Sequence, residues 1–108
     1  MKYLMTQEEF EQLIGVVDAT TPLPRVTCVY FTAEWCRACK KLNLNVIESE
    51  VPEVNWLKCD VDQNNYTPGY CGVRSIPTFL LIVDKKVAGT LTSNDNTKVI
   101  SWVKSFLS

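Results

Sequence analysis

The sequence predicts an α/β fold in which a central mixed β-sheet of four to five strands is flanked by helices on both faces. Three apolar, β-branched runs at residues 26–32, 54–62 and 77–83 alternate with helical patterns, an order typical of parallel βαβ units. A fourth run at 87–91 follows the turn-like segment "DKK", and this late hairpin adds an antiparallel edge. The chain has 108 residues, so we expect a single domain spanning 1–108.

The N-terminal half begins with a helix and continues into a buried strand. The first helix is predicted over 6–17, because Thr6 is a suitable N-cap with Glu9 at the capping-box spacing and apolar residues follow at helical spacing. A first strand near Tyr3 would complete a five-stranded sheet. The run "VTCVYFT" at 26–32 is nearly all apolar, as in a central strand that is covered on both faces.

Two more helices and a short one are predicted further along the chain. A helix that begins directly after the 26–32 strand is expected to end before Pro52. Thr67 and Pro68 have the pattern of an N-cap and a first helical residue. The last helix is expected to be capped by Asn94 or by Asp95. Its apolar face consists of Val99, Trp102, Val103 and Phe106.

The charge balance excludes several classes of partner. Eleven basic and twelve acidic residues leave a net charge of -1, which favours neither nucleic acid nor a membrane surface. No apolar run approaches the roughly 20 residues of a membrane span. The N-terminal stretch carries acidic residues where a signal peptide needs an apolar core. We therefore expect a cytoplasmic protein in a compartment that keeps most thiols reduced.

Five cysteines with irregular spacing do not resemble the framework of a disulfide-rich secreted protein. Cys28 and Cys59 lie within apolar runs and are expected to be small buried side chains. Cys71 is predicted to lie in a loop near the segment "SIP", where it is either packed or open to oxidation.

The segment "AEWCRACKKL" places Cys36 and Cys39 three residues apart, as a redox couple, half of a metal site or accidental neighbours. On a helix they share one face, at a Cα separation that a disulfide tolerates. A zinc site needs four ligands, and the chain has no His and no second CxxC, so no metal is expected. A helix N-terminus would stabilise a thiolate at Cys36, which would attack a substrate disulfide, and Cys39 would resolve the mixed disulfide.

The combination of "FTAEWCRACK", "LKCDVDQN" and "VRSIPTFLLI" resembles the thioredoxin family over nearly the whole chain. The resemblance implies the thioredoxin fold and a protein-disulfide reductase that works by thiol–disulfide exchange. It also implies disulfide-containing protein substrates and an electron donor, thioredoxin reductase or an equivalent, which carries the NADPH and flavin chemistry. This chain would then be a monomer that binds no cofactor of its own.

The resemblance also assigns roles to individual residues. Cys36 matches the exposed nucleophile and Cys39 the deeper resolving thiol. Trp35 matches the aromatic residue that flanks the site, although its pattern alone is equally typical of an ordinary half-buried Trp. Lys58 matches a lysine beneath the site, whereas its pattern alone favours an outward-facing strand residue.

Three further positions match the family's substrate groove. Pro77 matches a cis-proline, and Ile76 before it would offer backbone groups to an extended substrate segment, a short β-augmentation. Ser93 stands where the family has a groove-bordering glycine.

Several departures from the family pattern surround the cysteines. Arg37-Ala38 replaces the usual Gly-Pro, and Tyr30 replaces a buried Asp that is thought to help deprotonate the resolving thiol. Both changes favour the Cys36 thiolate, so we expect a reduction potential less negative than the ~−270 mV of thioredoxin by some tens of millivolts. Leu44 replaces a kink-forming Pro and predicts a straighter helix, and Lys85 replaces the usual Gly of the last hairpin.

Two alternative functions remain beside the reductase. The altered dipeptide Arg37-Ala38 is compatible with a disulfide oxidase or isomerase of more oxidising potential. A thioredoxin fold can also serve as an interaction module that braces a partner, although the intact "WCRACK" argues against loss of the chemistry.

Overall fold

The computed structural model of the protein describes residues 1–107, which form five strands, four α-helices and one 3₁₀ turn. The strands are β1 (Lys2–Tyr3), β2 (Val26–Thr32), β3 (Asn55–Asp60), β4 (Thr78–Val83) and β5 (Lys86–Thr92). The helices are α1 (Gln7–Leu13), α2 (Leu44–Glu50), α3 (Tyr66–Cys71) and α4 (Asn96–Ser105), and the 3₁₀ turn is Ala38–Lys41. The predicted first strand at Tyr3 is therefore confirmed, together with the hairpin near the C-terminus.

The five strands form one mixed sheet in the order β1-β3-β2-β4-β5. β1 and β2 both pair with β3 in parallel, whereas β4 is antiparallel to β2 and to β5. β2 is the central strand, and its first six residues are buried, as its continuous apolar run predicts.

Helices cover both faces of this sheet, which confirms the predicted fold class. On one face, α2 and α4 pack on Cys28, Tyr30 and Trp56. On the other face, α1 packs on Val29 and Phe31, and Cys71 of α3 lies beside it. Because side chains alternate along a strand, successive β2 residues supply the two cores in turn.

The structure corrects two helix boundaries. Thr6 caps α1 as predicted, its Oγ accepting the Glu9 N–H at 3.2 Å, but the helix ends at Leu13 and not near 17. Thr67 is a residue of α3 and not its N-cap, because the Asn64 side chain accepts the Thr67 N–H at 3.3 Å from just before the helix. The buried Asn64 thus provides the acceptor for an N–H group in the first turn of α3 that has no partner within the helix.

The α2 helix starts with its own N-cap. The predicted straight helix beginning after β2 is wrong, because the chain forms the 3₁₀ turn, becomes extended at Leu42, and then starts α2. Asn43 explains the interruption: its side-chain oxygen accepts the Val46 N–H at 3.2 Å, the bond of a preferred N-cap residue. Its own N–H donates to the Asn96 side chain at 2.9 Å, which ties the break to the start of α4. An effective cap therefore interrupts the helix without a proline.

The β4–β5 hairpin turns through two non-glycine residues with positive φ. Asp84 has φ 50° and Lys85 has φ 66°, the backbone that a two-residue type I′ turn requires at both central positions. The left-handed region costs an L-residue about 1–2 kcal/mol, and glycine enters it without that steric penalty.

We expect Lys85→Gly to raise the free energy of unfolding by about 0.5–1 kcal/mol in urea denaturation, because it removes the strain at positive φ. Lys86→Gly is the matched control, since Lys86 is equally exposed but begins β5. Glycine in a strand lowers stability, so the control should shift the midpoint in the opposite direction. Equal destabilisation by both variants would contradict the assignment of strain to this turn.

Candidate functional site

The site is built where two parallel strands end at the same edge of the sheet. Thr32 at the end of β2 is the register partner of Asp60 at the end of β3, and the Thr32 carbonyl accepts the Val61 N–H at 2.9 Å. The chain then turns, and the Cys36 N–H donates to the Ala33 carbonyl at 3.1 Å. This turn leads directly from the buried strand into the cysteine pair.

Cys36 and Cys39 are joined by a disulfide, with their Cα atoms 5.3 Å apart. The spacing therefore brings two thiols within bonding distance, as the redox interpretation predicts. The Cys39 N–H points at the Cys36 sulfur, 3.1 Å away, and would stabilise negative charge on that atom after reduction. Because only a short 3₁₀ turn follows Cys36, the group that would stabilise its thiolate is this N–H and not the dipole of a long helix.

The two sulfurs do not differ in exposure as the resemblance implies. Cys36 is 5% exposed and Cys39 is 7% exposed, so in the oxidised state the expected exposed nucleophile is as buried as its partner. Both residues belong to the core cluster on the α2–α4 face of the sheet.

Trp35 lies next to the pair and is 66% exposed. Its indole N–H donates to the Asp62 carboxylate at 2.8 Å, and the backbone N–H of Asp62 donates to the Asp60 carboxylate at 2.9 Å. Trp35 is therefore not a half-buried packing residue but an exposed ring that a hydrogen bond to Asp62 holds in place. Sequence reasoning did not assign a role to Asp62, although the "DVD" segment after β3 carries the signal.

A groove of about 500 Å³ lies beside the disulfide and is lined by Trp35 and Ile76. The bond between Ile76 and Pro77 is cis, and Pro77 is buried. Sequence reasoning missed the other lining residues, which come from the loop after β3 and from α3 and its following loop. They are Val61, Asn65, Pro68, Gly69, Val73, Arg74 and Ser75.

Ser93 and Arg37 lie outside the groove lining. Ser93 follows β5, and because Thr92 is the register partner of Thr78, it lies near Pro77 at the same end of the hairpin. Its hydroxyl accepts the Asp95 N–H at 3.1 Å, so it takes part in the start of α4. Arg37 is exposed and adjacent to Cys36, and Ala38 begins the 3₁₀ turn.

Tyr30 and Lys58 line a separate cavity, which includes Cys39 and shares no residue with the groove. They are register partners on β2 and β3, so they share one face of the sheet. Tyr30 stacks on Phe79 with ring centroids 4.8 Å apart, and burial raises the pKa of its hydroxyl. The Lys58 ammonium lies 5.3 Å from the centroid of the Tyr3 ring.

The three remaining cysteines form no disulfide. Cys28 and Cys59 are fully buried, as predicted, and Cys71 ends α3 half-buried, which corrects its placement in a loop. Burial raises the pKa of Cys28, raises that of Cys71 to about 11, and raises that of Cys59 to about 12. These thiols are therefore almost wholly protonated near neutral pH.

Comparison with known proteins agrees with this geometry. The family model described as Thioredoxin matches residues 2–105. The chain belongs to the thioredoxin family. A thioredoxin of Haemophilus influenzae is 44% identical over 86 residues, which cover 76% of this chain and 74% of that protein. A thioredoxin of Chlamydia trachomatis is 36% identical over 106 residues, which cover 95% and 96%.

Solved thioredoxin structures share the whole architecture. The thioredoxin of Fasciola hepatica superposes with a TM-score of 0.83 at 30% identity and covers 97% of this chain and 98% of its own. Mitochondrial thioredoxin 3 of Saccharomyces cerevisiae gives a TM-score of 0.84 at 27% identity, covering 97% and 94%. As a member of the thioredoxin family with a disulfide-forming cysteine pair, the chain is a thiol–disulfide oxidoreductase that acts as a protein-disulfide reductase.

Residues 1–107 contain neither a membrane-spanning helix nor a cluster of metal-binding side chains. No helix in this part of the chain is long and apolar enough to cross a membrane. Within the same residues, no three His, Cys, Asp or Glu side chains are grouped so that they would hold a metal ion.

We expect brief alkylation of the reduced thioredoxin-family protein with iodoacetamide to modify Cys36 first. At pH 8, a thiol with a pKa of about 11 is ionised in roughly one molecule per thousand, so Cys71 should react more than a hundred times more slowly than a free cysteine. Its rate should rise about tenfold per pH unit below pH 11, because the raised pKa delays formation of the thiolate.

Peptide mass spectrometry over a time course gives the order of labelling, and Cys28 and Cys59 should be modified last. Labelling of either strand cysteine as fast as Cys36 would contradict their placement in the two cores.

Proposed function

We propose that this chain reduces protein disulfides with Cys36 as the attacking thiol and Cys39 as the resolving thiol. The observation that carries the proposal is the Cys36–Cys39 disulfide at the end of β2, beside an apolar groove. In the reduced protein, the Cys36 thiolate attacks a substrate disulfide and forms a mixed disulfide. Cys39 then attacks Cys36, restores the intramolecular disulfide and releases the reduced substrate.

The division of labour between the two cysteines rests on their surroundings. The Cys36 sulfur receives the Cys39 N–H and is followed by the exposed Arg37, so two groups favour its thiolate. Cys39 lines the internal cavity with Tyr30, away from the groove where a substrate would lie. Attack from the groove side and resolution from the cavity side follow from this placement.

The groove supports substrate binding beside Cys36. Trp35 presents an exposed ring held by Asp62, and Ile76 provides an apolar wall with a backbone outside the strands. An extended substrate segment along Ile76–Pro77 would add main-chain hydrogen bonds near its own cysteine. Ser93 borders the same region through its position opposite Pro77.

The remaining parts of the proposal concern partners and location. Family membership implies a reductase as electron donor and disulfide-containing proteins as substrates. We propose that the donor is thioredoxin reductase or an equivalent and that nicotinamide and flavin chemistry takes place there. We further propose a monomer that binds no cofactor and works in the cytoplasm, a reducing compartment in which exchange with substrate disulfides proceeds toward reduction.

A disulfide oxidase is the second candidate, and a specific observation favours it. Arg37 places a permanent cation beside Cys36, and Tyr30 stands in the cavity as a neutral group. Stabilisation of the thiolate stabilises the reduced form, which makes the disulfide more oxidising.

We expect the protein to reduce insulin in the presence of dithiothreitol and Cys36→Ser to lower this activity to the uncatalysed rate, because the nucleophile is lost. Cys39→Ser should retain attack but not resolution, and should therefore accumulate a mixed disulfide with substrate. Cys71→Ser is the matched control and should keep activity within about twofold, because Cys71 takes no part in the exchange.

Non-reducing gel electrophoresis with mass spectrometry identifies the trapped adduct and the cysteine that carries it. Adducts formed by Cys36→Ser through Cys39, with none formed by Cys39→Ser, would reverse the two roles.

A further inference from the structure

The cavity behind the disulfide has a polar wall that the exchange described above does not use. It is open toward solvent and has a volume of about 230 Å³, which is room for several water molecules at about 30 Å³ each. The lining residues are Tyr3, Tyr30, Thr32, Ala33, Glu34, Cys39, Lys40, Leu42, Leu44, Lys58 and Asp60. The cavity therefore connects the Cys39 thiol with two carboxylates, Glu34 and Asp60.

Strand register explains why Asp60 faces this cavity. Tyr30 pairs with Lys58, and Thr32 pairs with Asp60, so the four side chains project from one face of the sheet. The β2–β3 pair is parallel, which brings both strand ends to the edge where Cys39 lies. Thr32, Cys39 and Asp60 all line this cavity.

Asp60 is held more firmly than Glu34. It is 9% exposed, stands at the end of β3, and one of its oxygens accepts the Asp62 N–H at 2.9 Å. Asp60 also lines the cavity. Glu34 is exposed in the turn before Cys36 and has no such fixed position.

Resolution needs a group that accepts a proton from Cys39. The thiolate is the nucleophile in disulfide exchange, and Cys39 is buried, so its proton must leave through the groups and the water of the cavity that it lines. Tyr30 cannot accept it at neutral pH, because its hydroxyl is protonated and burial raises its pKa further. Lys58 and Lys40 are cations, and Tyr3 is a second protonated phenol, which leaves the two carboxylates.

We propose that Asp60 accepts the Cys39 proton through water in this cavity when Cys39 resolves the mixed disulfide. The inference rests on the proposed function and adds an acid–base residue to it. Because Asp60 acts through water, it is a positioning residue for the thiol proton. Lys58 contributes positive charge on the same strand face.

The step balances in atoms and electrons. In the mixed disulfide, the Cys39 proton passes through water to Asp60, and the Cys39 thiolate attacks the Cys36 sulfur. The bond between Cys36 and the substrate sulfur breaks, and the Cys36–Cys39 bond forms. The substrate sulfur leaves with the electron pair and takes a proton from solvent, while Asp60 later releases its proton to solvent. Two electrons pass from the cysteine pair to the substrate.

The test measures resolution separately from attack. Reduced protein reacts with 5,5′-dithiobis(2-nitrobenzoate): attack by Cys36 releases the first thionitrobenzoate, and resolution by Cys39 releases the second. Asp60→Asn preserves the acceptor for the Asp62 N–H but removes the base. We expect the second release to slow at least about tenfold, with the first release unchanged within about twofold. The loss should stay near the lower end of what a general base contributes, because solvent also accepts the proton.

The pH profile gives a readout that a merely structural role would not change. Wild-type resolution should vary little between about pH 6 and pH 8, because the proton passes to Asp60 within the protein and not to hydroxide in solvent. Without Asp60, resolution should rise roughly tenfold per pH unit, in proportion to the thiolate fraction of Cys39. Asp60→Glu restores a carboxylate and should recover a flat profile.

Matched controls separate the possible outcomes. Asp84→Asn removes an equal charge from an exposed turn and should leave both releases unchanged. If Glu34→Gln slows resolution and Asp60→Asn does not, the assignment to Asp60 is overturned. A steep pH profile in the wild-type protein also overturns it, without any variant having to fold. Absence of a second release from wild-type protein would instead contradict the proposed function.

Discussion

Strand β2 is hydrogen-bonded on both sides, and this constraint fixes the position of the two sulfurs. β3 pairs with it in parallel and β4 in antiparallel fashion, so the strand cannot shift without breaking two ladders. Its buried side chains supply both cores in turn, and a slip of one residue would reverse every one of them. The chain leaves this strand at Thr32, turns once, and forms the Cys36–Cys39 disulfide. The paired central strand therefore fixes where the two cysteine sulfurs lie.

The disulfide divides its surroundings into two environments of different chemistry. On one side lies the groove with the exposed Trp35 ring, which suits an extended substrate. On the other side lies the cavity with Lys58 and Asp60, which suits proton transfer. Asp62 and Asp60 connect the two sides, since the first holds the Trp35 indole and its backbone N–H binds the second.

Much of this fold follows from the sequence because its signals are local. The continuous apolar run of β2, the caps Thr6 and Asp95, and the cysteine spacing each depend on neighbouring residues. The break before α2 was not predicted, because Leu44 in place of the family's proline indicates a continuous helix. The break instead depends on Asn43, which is the N-cap of α2. The cavity was not predictable either, since it depends on the register that aligns Thr32 with Asp60 across two strands. The burial of Cys36 was not predictable from its neighbours in sequence either, because it depends on packing against the core cluster that both sheet and helices supply.

The central claim is that Cys36 and Cys39 form a reversible two-electron couple poised to reduce other disulfides. The most direct measurement is the equilibrium of this disulfide with glutathione buffers of known ratio, followed by acid quenching and mass analysis of the reduced and oxidised protein. Arg37 and the neutral Tyr30 should raise the potential slightly, so the account predicts a midpoint between about −270 and −220 mV. A midpoint near about −120 mV, typical of a strong oxidant, would contradict the reductase and favour disulfide formation as the function.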